Sequence, residues 1–170
     1  MLIDAFGRIR EAAHRAVEGL DPDELAFRPD GDGNSIAWLV WHLTRIQDDH
    51  IAEVAGLEQV WTAPGRADRF ALPFPVSATG YGHRSEDVAA VRVNSADLLL
   101  SYHDAVADQT TRYLATITPD DLDRVVDERW DPPVTLGVRL VSVIDDDLQH
   151  AGQAAYVRGL LERRRSHHRG

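Results

Sequence analysis

Four stretches of the sequence repeat apolar residues every third or fourth position, and this periodicity points to a helical architecture. The first, residues 2–20, puts Ile3, Phe6, Ile9, Ala13 and Val17 on one face, and turn formers from Asp21 to Gly33 end it. The second, residues 35–55, has Asn34 or Ser35 as its cap and Gly56 as its stop; its core face is Ile36, Leu39, Val40, Leu43, Ile46 and His50. The third, residues 95–117, buries Leu98, Leu99, Tyr102, Val106, Tyr113 and Leu114. The fourth, residues 135–163, runs from Leu136 through Val138, Val143, Ile144, Leu148 and Ala151 to Leu161, and ends in Arg163-Arg164-Arg165. Helices of about 20 residues are roughly 30 Å long, the dimension of a four-helix bundle. No strand-like alternation is long enough to build a sheet. The expected organisation is one all-α bundle domain over residues 1–165 and a disordered tail over 166–170.

The connections differ in kind. Thr118-Pro119-Asp120-Asp121-Leu122 predicts a short capped turn with Pro119 at the first helical position. Trp130, before the Pro132-Pro133 pair, reads as an aromatic cap on the core. The link over residues 56–94 is too long for a bundle turn, and loops beyond about 12–15 residues are usually functional or disordered. Trp61, Phe70, Phe74 and Tyr81 argue against disorder, and residues 84–91 predict a short helix within the link. The segment is expected to cover one end of the bundle and to wall a pocket, which Tyr81 and His83 could reach.

Composition removes several classes of function. The formal charge of −10 and the lack of a basic stripe disfavour nucleic acid and anionic membranes. The longest apolar run, Ile36 to Trp41, is far below the roughly 20 residues that span a bilayer. Without cysteine there is no disulfide, thiolate zinc site or cysteine nucleophile. All 18 basic side chains other than histidine are arginine, which excludes lysine Schiff-base chemistry and suggests GC-rich coding. The amino-terminal residues do not resemble a secretion signal, so a cytoplasmic location is expected. Broad apolar helix faces are compatible with a homodimer.

The strongest local constellation is Asp145-Asp146-Asp147-Leu148-Gln149-His150-Ala151-Gly152-Gln153. Asp146 and His150 are four apart, one turn along one helical face, where a carboxylate oxygen and an imidazole nitrogen can grip a divalent cation. Solvated Asp–His pairs share that spacing. Apolar neighbours, however, require at least one of the three aspartates to face inward, and burying an unpaired carboxylate is expensive. The second helix offers Trp38-Leu39-Val40-Trp41-His42-Leu43 and, two turns on, Asp49 and His50. Periodicity places His50 nearer the core than His42 and does not choose between them as a third ligand. His14, His83 and His103 have no ligand-spaced partner and read as surface or boundary residues; His167 and His168 fall in the tail.

The order Trp41-His42-Leu43, then Asp146 to Gly152 with Gln153 next, resembles the DinB/YfiT-like superfamily of metalloenzymes. The nearest branch is the actinobacterial one of mycothiol-dependent enzymes such as maleylpyruvate isomerase and mycothiol transferase, and the resemblance covers nearly the whole chain. It implies His42, Asp146 and His150 as metal ligands, selecting His42 over His50; many members carry histidine or glutamate in place of Asp146. Two imidazoles and one carboxylate leave an open position, as in catalytic zinc sites, and would also accept Ni2+ or Fe2+. The resemblance further implies mycothiol as co-substrate, its sulfur activated by the metal for transfer to, or isomerisation of, a small electrophile. The alternatives are a metal-dependent hydrolase using metal-bound hydroxide, and a non-catalytic metal- or ligand-binding bundle.

Overall fold

The structure, a computed structural model, describes residues 1–167. Its elements in chain order are α1 (Leu2–Val17), α2 (Pro22–Leu25), α3 (Ile36–Ala55), α4 (Arg66–Phe70), α5 (Ser85–Ala90), α6 (Ala96–Leu114), the strands β1 (Val125–Asp127) and β2 (Val134–Thr135), and α7 (Leu136–His167). The four long helices correspond to the four periodic stretches, and the fold is all-α. Ser35, not Asn34, caps α3 by accepting from the Trp38 N–H, and Gly56 closes it in the left-handed conformation. Ser95 caps α6 in the same way. The Thr118 turn is a 3-10 helix over Pro119–Asp123, in which the Asp121 carboxylate accepts from the Thr118 backbone N–H and hydroxyl.

Around the bundle, α7 packs against α3 and α1, and α6 against α1 and α3. The Thr44–His103 and Gln47–Thr110 hydrogen bonds pair residues in rising order on both helices, so α3 and α6 run parallel. His42 meets His150 while His50 meets Arg139, so α3 and α7 run antiparallel. Parallel α3 and α6 explain the long link, because the chain must travel back along a helix of about 30 Å before α6 can start.

The link is docked by buried polar groups as well as by aromatics. Fully buried Arg45 donates from Nε to the Ala78 carbonyl and from Nη1 to Gln59 Oε1. Asp48, also fully buried, accepts from the backbone N–H of Val60 and Trp61 and from the Tyr102 hydroxyl. Trp61 packs on Trp41, Phe70 and Tyr102.

Several expectations need correction. A two-stranded antiparallel sheet, β1–β2, is present, too short for an alternation to show. Trp130 is 65% exposed and caps nothing. Val138 and Leu148 are exposed, because α7 buries one stripe against α1 and α3 rather than every apolar position. Helix α7 continues through Ser166 and His167, so that part of the expected tail is helical; residues 168–170 lie outside the described residues. His103 is not a boundary residue. It is fully buried, and its Nδ1–H donates to Thr44 Oγ1, whose own proton goes to the Val40 carbonyl.

Candidate metal centre

Trp38 and His42 stand one turn apart on α3, so their rings stack, with centroids 4.6 Å apart and planes at 15°. The His42 ring meets that of His150 on α7 edge to face, centroids 4.8 Å apart. One turn before His150, Asp146 brings Oδ1 to 3.6 Å from His150 Nε2. Each of His42, Asp146 and His150 offers one ligand atom, and these atoms lie within 4.8 Å of one another. Donors around tetrahedral zinc are separated by about 3.4 Å, so side-chain movements of about 1 Å would close the set on an ion.

The hydrogen bonds suit metal ligation. His42 Nδ1 lies 2.6 Å from the Thr79 carbonyl, which can only accept, so Nδ1 carries the hydrogen and Nε2 keeps its lone pair. His150 Nδ1 faces Gln153 Oε1 at 3.3 Å, which assigns it the same tautomer. Carbonyl oxygens behind the outer nitrogens are the usual support of metal-binding histidines. Asp146 Oδ2 is buried with no hydrogen-bond partner, and coordination to a cation would satisfy its lone pairs instead. Burial pushes the His42 pKa below its ordinary value, which favours the neutral, ligand-competent imidazole.

The three aspartates separate as helical geometry requires. Asp145 is exposed and accepts from Gln149, Asp146 faces the two histidines, and Asp147 points into the core. Both Asp147 oxygens lack partners, and burial, reinforced by the Asp146 charge, pushes its pKa well above the carboxylate range. His50 is excluded from the cluster. Its side chain is 27% exposed, against 5% for the whole of His42, which reverses the expected order of burial. Its Nδ1 accepts from Arg139, which in turn holds Asp127. Asp49 is engaged by Gln59 instead.

Sequence reasoning expected the link to wall a pocket but missed the two link residues, Thr79 and Gly80, that support His42. Gly80 has φ +93°, and a Cβ there would sit 2.5 Å from His42 Nδ1, so only glycine lets the Thr79 carbonyl approach. Thr79 itself carries no signal, because it acts through its backbone. His83, expected at the surface or boundary, lies in an aromatic nest: its Nδ1 accepts from Trp38 Nε1–H at 3.1 Å, and its ring stacks on Trp41. Phe74 packs against the same ring, so the link does form a wall here. Tyr81 is 90% exposed and does not.

The model of the mycothiol S-transferase family matches residues 1–163.

The chain belongs to that family.

A solved structure described as the conserved protein of a locus from Enterococcus faecalis is 33% identical, with a TM-score of 0.86 and 92% of each chain covered. Among curated proteins none matches. Family membership associates the chain with mycothiol transfer and a small thiol substrate.

Proposed function

We propose that this member of the mycothiol S-transferase family is a metal-dependent enzyme whose ion, zinc first and nickel or iron(II) next, is held by His42, Asp146 and His150. One observation supports this most: both histidines have their outer nitrogen turned to a carbonyl oxygen, with Asp146 beside them. Bound there, a divalent cation supplies Lewis acidity that favours the ionised form of a thiol. The chain's own groups prepare the site for it. Burial keeps His42 neutral, the Thr79 carbonyl fixes its ring, and the Trp38 indole shields one face of that ring from water. With no cysteine in the sequence, no protein thiol competes with the substrate thiol.

The proposed substrates are mycothiol and a small electrophile, in the cytoplasm, without nucleic acid or membrane and in a monomer or homodimer. Among the described residues no helix is long and apolar enough to cross a membrane. The test is electrophile consumption by zinc-loaded protein with and without mycothiol. Thiol-dependent turnover that stops on chelation supports the proposal. Thiol-independent hydrolysis would replace it with a hydrolase, and protein that binds no metal would contradict both.

A further inference from the structure

Helix α7 contains three glycines, Gly137, Gly152 and Gly159, and their surroundings differ. A Cβ at Gly137 would come within 3.3 Å of the Leu122 carbonyl, so close packing accounts for it. At Gly159 a Cβ would make one ordinary contact, with Arg163 Nη1 at 3.5 Å. At Gly152 it would meet nothing within 4 Å, and the backbone there does not have positive φ. Glycine inside a helix is less stable than alanine, because its backbone has more freedom to lose. Neither conformation nor packing explains it at 152.

Position explains it better. Gly7 of α1 also meets open space, but Gly152 lies two residues from His150 and lines a cleft of about 410 Å³. Pro29, Leu39, Tyr156 and Val157 wall the cleft, and Gln153, the partner of His150 Nδ1, lies in it too. Tyr156, one turn beyond Gly152, is 65% exposed, a large apolar surface for a helix to leave uncovered. A further cleft of about 590 Å³ shares Pro29 and Tyr156, so the trough continues away from the metal ligands. Small-molecule sites span about 300–1,000 Å³ and are mostly apolar with a few placed polar groups.

We propose that this cleft is the subsite for the apolar body of the electrophile, and that position 152 is glycine to leave room for it. The inference rests on the transferase reading for the word electrophile; the cleft as a site for an apolar ligand does not. Its lining is mainly apolar, with Asn34, Gln153 and the Tyr156 hydroxyl as the polar groups and Gln153 already engaged by His150. It therefore suits an apolar body with few polar groups better than the many hydroxyls of a sugar-bearing thiol. A larger side chain at 152 would project into the space that the ligand needs.

The test uses zinc-loaded wild type, Gly152→Ala and Gly152→Leu. Zinc content and the thermal midpoint are measured first, and both variants should keep the metal and melt no lower than wild type. Binding of 4-ethylphenol, a soluble arene with no leaving group, is then measured by titration. Gly152→Leu should weaken it at least tenfold and Gly152→Ala about threefold. The transfer arm compares chloroacetamide with N-benzyl chloroacetamide, which share the reacting carbon and differ in apolar body. The ratio of kcat/KM, benzyl over plain, should fall at least tenfold in Gly152→Leu. Should the leucine variant fail to fold, the alanine variant decides on the same readouts. Unchanged arene binding in a folded variant, or no saturable binding by wild type, overturns the subsite. Arene binding that the variants lose, with no thiol transfer by wild type, leaves the subsite standing and removes the transferase reading.

Discussion

At Gly80 the backbone passes so close to His42 that a Cβ would lie 2.5 Å from Nδ1, at a φ that L-residues rarely adopt. Gly80→Ala must therefore displace the loop or the imidazole, and the Thr79–His42 hydrogen bond with it. Zinc affinity should fall about 10–100-fold, the usual effect of losing such a supporting partner. Equilibrium dialysis measures it, and unchanged affinity would show that the loop does not orient His42. Asp147 tests the opposite situation, a buried carboxyl without partners. Asp147→Leu removes two unsatisfied oxygens and should stabilise the protein at pH 7 by about 1–3 kcal/mol in denaturant titration. A loss of stability there would mean that the carboxyl has a partner in solution. The sequence required an inward-facing aspartate among the three, and helical spacing already paired Asp146 with His150. It could not show Thr79 or Gly80, whose contributions are a carbonyl and a missing Cβ.

Helix α3 shows why periodicity misranked its two histidines. A face analysis assumes that one side of a helix meets solvent, yet α3 is covered by the bundle on one side and by the link on another. His42 is therefore buried under Thr79 and Gly80, off the apolar stripe, while His50 sits on the stripe beside polar Arg139. Resemblance to a family selected His42 where the pattern did not. The helix boundaries were legible because Ser35, Ser95 and Gly56 act locally, whereas the docking of the link depends on Arg45 and Asp48, charged residues that read as surface. Asp48→Ala removes three acceptor contacts at once and should destabilise the protein by about 3–5 kcal/mol. It should also speed hydrogen exchange across residues 58–83 before it affects α1. Uniform loosening would mean that the link and bundle unfold as one unit.

For the whole molecule, buried histidines make stability depend on pH. Burial pushes His103 down to about 4 from its ordinary 6.5. Its contribution is complete above pH 6.5 and is lost as pH falls to about 4, because the unfolded chain takes up a proton that the folded chain refuses. The loss is about 3 kcal/mol across that window. Asp147, shifted upward, acts with the opposite sign, so the informative quantity is the difference between wild type and His103→Asn. That variant should lose the His103 share of the slope; an identical slope would place the proton elsewhere. The central claim, that α3 and α7 hold one metal ion through His42, Asp146 and His150, is tested most directly by zinc stoichiometry. Wild type, His42→Ala, His150→Ala and His50→Ala are each dialysed against zinc at neutral pH, with circular dichroism to establish that each is folded. About one zinc per chain is expected in wild type and His50→Ala, and close to none in His42→Ala and His150→Ala. Zinc retained by His42→Ala and lost by His50→Ala would contradict the assignment.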